Sequence, residues 1–237
     1  MVKSDKILIN CINLSKQYGY FFALKNNSFN IKKGTIFGIA GANGAGKTTL
    51  IKILSGLVKP TLGSVEIGGM NYEDNSTIIH QNIGITTDES FLYEELTIFE
   101  NLKFYCNLHL IFEKREIKQK IDELVEKFNL TDWINEPVKN LSHGMKQKVE
   151  LIRTVIHSPM ILFLDEPFSG LDYVATDKLI KFIKEKNQKN NVTIILTTHK
   201  IELFQQICND LIILRKGKIV KTIKDKEFNE IEIESLF

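Results

Sequence analysis

The apolar residues of this chain fall into short dense runs and longer periodic stretches, and the two textures mark different elements. Ile7-Leu-Ile-Asn-Cys-Ile-Asn-Leu14 reads as a first strand, and residues 27–31 and 35–40 as two more, joined by the turn Lys32-Lys33-Gly34. The last of these leads straight into a glycine-rich stretch. Leu50, Ile51, Ile53, Leu54 and Leu57 then recur at helical spacing, which predicts a helix opening at about Gly46 and ending over Gly56–Pro60. Val65–Ile67 is expected as a short strand before Gly68-Gly69.

From about Glu89 to Ser158 the texture changes. Ile98, Leu102, Phe104-Tyr105, Ile117, Ile121, Leu124-Val125 and Phe128 follow helical periodicity with charged faces between them, so a mostly helical insert separates two strand-rich regions. Alternation of strand and helix resumes with Met160–Leu164, a helix over about 173–187, and Val192–Thr197. Runs without alternation, such as Ile161-Leu-Phe-Leu164, suit central strands of a parallel sheet covered on both faces. Leu211–Leu214 and Lys218–Ile223, either side of Arg215-Lys-Gly217, read as a hairpin. No internal repeat or low-complexity segment interrupts this order.

Length and composition narrow the class. The 237 residues, 43% of them hydrophobic, suffice for one large α/β domain or one domain with an inserted subdomain. A formal net charge of +2 argues against a dedicated nucleic-acid binder, which would carry a basic excess. Cys11, Cys106 and Cys208 are far apart and form no metal-ligand or redox spacing, which suits a reducing compartment. Met1–Asn10 has no long apolar core, so no secretory signal is expected. No run approaches the roughly 20 apolar residues that cross a bilayer.

Candidate chemistry sits at the ends of the strand-like runs. In Gly41-Ala42-Asn43-Gly44-Ala45-Gly46-Lys47-Thr48-Thr49 the glycines let successive backbone N–H groups point into one concavity at a helix N-terminus, a cradle for polyphosphate. Lys47 can reach the β- and γ-phosphates, and the Thr48 hydroxyl can coordinate Mg2+. Asp165 ends an apolar strand, where ligands collect in open α/β sheets, and is expected to hold Mg2+. Glu166 beside it can accept a proton from an attacking water. His199, just past Val192–Thr197, can hydrogen-bond a γ-phosphate.

With Leu141-Ser-His-Gly-Met145 and Ser169-Gly-Leu-Asp172 added, the chain resembles the nucleotide-binding subunits of ATP-binding cassette (ABC) transporters over about residues 5–222. In that resemblance Gly41–Thr48 is the Walker A loop, Ile161–Glu166 the Walker B strand with its glutamate, Ser169–Asp172 the D-loop and His199 the switch histidine. Tyr18 matches the aromatic residue that stacks on adenine. Leu141–Met145 stands where Leu-Ser-Gly-Gly-Gln belongs: His143 replaces a glycine and Met145 a glutamine, while Ser142 and Gly144 are retained. Ser142 can also cap the following helix. Alignment of Ile83-Gly84 and Leu92-Tyr93 puts Asp88 where a glutamine normally meets Mg2+, as in a variant seen in exporters linked to antimicrobial-peptide immunity. A loop carboxylate without such a contact, or Glu89 in its stead, stays open.

The resemblance implies a P-loop NTPase with a mixed, largely parallel core sheet, an N-terminal antiparallel β subdomain and an inserted helical subdomain. One domain is expected over 5–232, with the core and β subdomain at about 5–88 and 159–232 and the helical part at about 89–158. It further implies an ATP hydrolase using ATP and Mg2+, working as a homodimer or with a paired nucleotide-binding subunit. Ser142 and Gly144 of one copy would close on ATP held by the other. An integral membrane transporter subunit would be gripped around Phe91, Leu92, Tyr93 and an apolar helix from Phe99 to Phe112, at the cytoplasmic face of the membrane, without direct nucleic-acid binding. The short C-terminus and the Leu-Ser-His-Gly-Met signature favour export. A soluble ABC ATPase or a nucleotide-dependent regulatory protein is the alternative.

Overall fold

The structure, a computed structural model, describes residues 6–224; the expected domain limits at 5 and 232 lie outside them. Strands β1 (Ile7–Tyr18) and β2 (Phe21–Lys32) form a long antiparallel hairpin, followed by β3 (Ile36–Ala40) and helix α1 (Lys47–Leu54). Next come β4 (Leu62–Ile67), β5 (Met70–Asn71), α2 (Tyr72–Gln81) and β6 (Ile83–Thr86). Helices α3 (Ile98–Leu108), α4 (Lys114–Lys127) and α5 (His143–Val155) make the insert. The chain then runs through β7 (Ile161–Leu164), α6 (Tyr173–Asn190), β8 (Thr193–Thr197), α7 (Ile201–Ile207), β9 (Asp210–Arg215) and β10 (Lys218–Ile223).

Two sheets result: an antiparallel one in the order β2-β1-β4-β5, and a six-stranded one in the order β10-β9-β3-β8-β7-β6. In the larger sheet only the β9–β10 pair is antiparallel. Its central strands are buried throughout. Because strand side chains alternate between faces, each strand feeds two cores. Leu162 and Leu164 pack with α6 and α7 on one face. Ile161 and Phe163 pack with α1 and the antiparallel sheet on the other. Gly38 of β3 has no side chain because a Cβ there would meet Leu211 and Phe204 at 2.7 Å.

A third core joins α3, α4 and α5 around Leu102, Cys106, Ile121, Val149 and Ile152. Thr97 and Glu100 cap α3 reciprocally, and the Ser142 hydroxyl accepts from Met145 N at 3.3 Å to cap α5. The C-terminal half of α5 serves two cores: Val149 and Ile152 stay in the insert, while Leu151 and Val155 pack into the sheet core.

Several expected elements differ. The β1–β2 hairpin reaches Tyr18 and Phe21, well beyond residues 14 and 27, and β4 starts at Leu62. Elements β5, α2, β6 and α7 answer to no sequence-predicted element. The apolar helix expected to run from Phe99 to Phe112 is α3, which stops at Leu108 because Leu110 takes a left-handed φ of 62°. No helix among the described residues is long and apolar enough to cross a membrane.

Candidate functional site

Parallel register brings the candidate residues to one edge of the six-stranded sheet. Ile39 lies opposite Thr197, Leu164 opposite Leu196, and Thr86 opposite Leu164. The chain therefore leaves adjacent strands at Gly41, Thr198, Asp165 and Thr87 on the same carboxyl-terminal edge. Asp165 N donates to the Thr86 carbonyl at 3.1 Å, fastening two of these exits together.

The loop from Gly41 to Gly46 is moulded by its neighbours. A Cβ on Gly41 would sit 2.4 Å from the Leu214 carbonyl oxygen, and one on Gly46 2.6 Å from that of Ala23. Both residues also have positive φ, 150° and 109°, which favours glycine. Gly217 N, in the β9–β10 turn, donates to the Ala45 carbonyl at 3.0 Å and fixes the loop from outside. Ala42, Asn43 and Gly44 remain exposed, and Thr48 and Thr49 are half-buried in the first turn of α1. Lys47 is buried, its ammonium donating to the Gly41 carbonyl at 2.7 Å and the Ala42 carbonyl at 3.2 Å. The lysine is thus folded over the concavity its own loop forms.

At the end of β7, Asp165 is buried. Thr197 Oγ1 donates to its Oδ1 at 2.5 Å, while Oδ2 is buried with no partner. A buried carboxyl oxygen without a donor at a polar strand end suits a cation or its bound water, so the residues fit a Mg2+ site. Glu166 follows with a left-handed φ of 47°, held by its N–H donating to Thr197 Oγ1 at 2.9 Å. This backbone turn directs the Glu166 carboxylate to His199. His199 Nδ1 is 3.0 Å from Oε2, and His199 N donates to the same oxygen at 3.2 Å.

Two candidates are differently engaged. Asp88 is exposed and pairs with Lys52 of α1 at 3.3 Å, and Glu89 pairs with the same ammonium at 3.0 Å. Tyr18, at the end of β1, has one face under the Lys16 ammonium, 5.0 Å from the ring centroid, and is half exposed. Ser142 and Gly144 stand at the N-terminus of α5, and no hydrogen bond among the described residues joins them to the loop. A Cβ on Gly144 would lie 3.4 Å from the Gly170 carbonyl oxygen, and the His143 ring fills the space beside Gly170.

Of the residues expected to grip a partner, Leu92 is buried and Phe91 packs against the insert core. Tyr93, edge-on to Phe104 at 5.1 Å, is exposed together with Leu108, Leu110 and Phe112. Thr197 is a site residue that sequence reasoning missed; the threonine pair Thr197-Thr198 closing a buried apolar run was its signal.

The ABC transporter family profile matches residues 24–169. MJ1023 of Methanocaldococcus jannaschii, an uncharacterized ABC transporter ATP-binding protein, is 39% identical over 208 residues, covering 88% of this chain and 74% of that one. The bacitracin transport ATP-binding protein BcrA of Bacillus licheniformis is 34% identical over 216 residues, covering 91% and 69% respectively. Among solved structures, the dimeric cassette MJ0796, in a post-hydrolysis state bound to ADP and Pi, is similar with a TM-score of 0.85 at 27% identity. That likeness covers 93% of this chain and 100% of the other.

Proposed function

This chain belongs to the ABC transporter family as an ATP-binding and ATP-hydrolysing subunit, and from that premise we propose that it energises export through a separate transmembrane subunit. The observation that carries the mechanism is the convergence of four strand exits on one edge, with the Ser142–Gly144 tip held elsewhere. A lysine-bearing loop with no lid among the described residues calls for a lid from a second copy.

In this reading Gly41–Thr49 bind the triphosphate through backbone N–H groups and the Lys47 ammonium, which exchanges its loop carbonyls for phosphate oxygens. Tyr18 offers its free face to the adenine. Thr48 and Asp165 would hold Mg2+, with Asp88 serving from the adjoining loop; the ion would supply positive charge against the phosphates. Glu166 accepts the proton of the attacking water, and His199 orients that carboxylate and meets the γ-phosphate. Ser142 and Gly144 of the second copy close the site, with the α5 N-terminus aimed at the phosphate. Positioning and charge neutralisation do the chemistry, with no covalent intermediate on the protein.

Transport is supported by the bacitracin transport relative, and export by the Leu141-Ser-His-Gly-Met145 signature. The membrane subunit would meet the apolar patch of Tyr93, Phe104, Leu108, Leu110 and Phe112, at the cytoplasmic face. The domain is read as extending over 5–232 with its helical insert at 89–158. Lys47→Ala tests the site: nucleotide binding should be abolished, and retained affinity would remove Lys47 from it.

A further inference from the structure

The segment 86–91 is tied to three different elements. Its root is fastened to β7, where Asp165 N donates to the Thr86 carbonyl. Its far end is fastened to α5, where the Glu150 carboxylate accepts from Ser90 Oγ and Phe91 N, both at 2.7 Å. Between these anchors lie Asp88 and Glu89, both facing Lys52 of α1. Lys52 is one helical turn beyond Thr48, so the two residues share a face of α1. Two carboxylates in sequence, facing the helix turn that follows a polyphosphate site, would repel the phosphates unless a cation answers them.

We propose that Lys52 is a positioning residue for the ATPase reaction: it holds the Asp88-Glu89 loop on α1 and cancels its charge, so that an acidic loop can border a Mg·ATP site. The inference rests on the nucleotide-site reading above. The geometry supports a shared counter-ion over two separate surface pairs, because one ammonium reaches both carboxylates. The Lys52 side chain is only 19% exposed, whereas Asp88 and Glu89 are 66% and 72% exposed. The lysine is therefore the fixed member and the loop the member being held. A lysine in this position has no role in the phosphate cradle itself; its partners are the loop's carboxylates.

The test is the affinity of a non-hydrolysable Mg·ATP analogue, measured by calorimetry at low and high salt on the full chain. Lys52→Met should weaken binding about fivefold at low ionic strength, and salt should shrink the difference because the uncompensated charges are exposed. Lys52→Arg should bind as the parent does, and Lys52→Met/Glu89→Gln should recover most of the loss. A merely structural lysine would give neither the salt dependence nor the recovery. An unchanged affinity in Lys52→Met, or a double variant as weak as the single one, overturns the proposal. Lys47→Ala is run alongside: if it too binds the analogue normally, the site reading has failed, whereas its loss of binding beside a normal Lys52→Met condemns the Lys52 inference alone.

Discussion

His199 and Glu166 meet twice: the imidazole Nδ1 lies 3.0 Å from Glu166 Oε2, and the His199 backbone N–H donates to that same oxygen at 3.2 Å. The two residues leave neighbouring strands, β8 and β7, so the parallel register itself sets their separation. A carboxylate held at two points by one residue is aimed before substrate arrives. Glu166→Gln keeps the shape and an acceptor oxygen but removes the base. We expect it to retain ATP binding while turnover falls by at least about a hundredfold. Parent-like hydrolysis by this variant would take the base role from Glu166.

Thr197 links both acidic residues, donating to Asp165 Oδ1 and accepting from Glu166 N. Thr197→Val is nearly isosteric, so the buried shape survives while both bonds are lost. Asp165 would then have neither oxygen partnered in the interior. The expected cost is about 1–3 kcal/mol of stability by chemical denaturation. The Mg2+ concentration needed for half-maximal ATP hydrolysis should rise about tenfold, as for loss of a metal ligand's supporting partner. An unchanged Mg2+ requirement would separate Thr197 from the metal site.

How far the sequence announced these features depended on whether the signal was local. Lys47, Thr48, Asp165 and Glu166 stand in or beside contiguous motifs at the ends of apolar runs, and could be read directly. Thr197 and Lys52 could not, because their partners lie 32 and 36–37 residues away and meet them only through strand adjacency and the packing of α1 against the loop. The fold shows the same division. Buried β7 and β8 announced themselves as unbroken apolar runs. The far half of β1, Ser15-Lys-Gln-Tyr18, is held by pairing with β2 in a sheet with an exposed face, and its side chains carry little periodicity. In α2 the described side chains include only one buried residue, Ile79, too weak a stripe to be seen. The run Leu108–Phe112 misled in the other direction: Leu108, Leu110 and Phe112 are apolar but exposed, so no packing continues the helix.

The pair His109 and His157 predicts a pH dependence of stability. Their rings stack at 3.6 Å with 5° between planes, and His157 Nε2 lies 2.9 Å from the Ile83 carbonyl oxygen, where it donates. Burial first, and then His109, push His157 from 6.5 down to about 4. The folded pKa is below the unfolded one, so the unfolded chain takes up the proton first as pH falls. The contribution is fully present above 6.5 and is lost as pH drops toward about 4. Urea unfolding should show a loss of about 2 kcal/mol between neutral pH and about pH 5. His157→Gln should flatten that slope; an equally steep slope in the variant would place the effect elsewhere.

The central claim is that two copies share each nucleotide, and site-specific cross-linking tests it most directly. The chain's own cysteines, Cys11, Cys106 and Cys208, are all buried, so introduced thiols report without background. Asn43 and His143 are both exposed, one on the phosphate loop and the other beside the Ser142 cap. In a Glu166→Gln background carrying Asn43→Cys and His143→Cys, oxidation should yield a disulfide-linked dimer with Mg·ATP and almost none without it, and neither single-cysteine protein should give that link. A doubly substituted protein that binds Mg·ATP yet stays monomeric under oxidation would contradict the shared site.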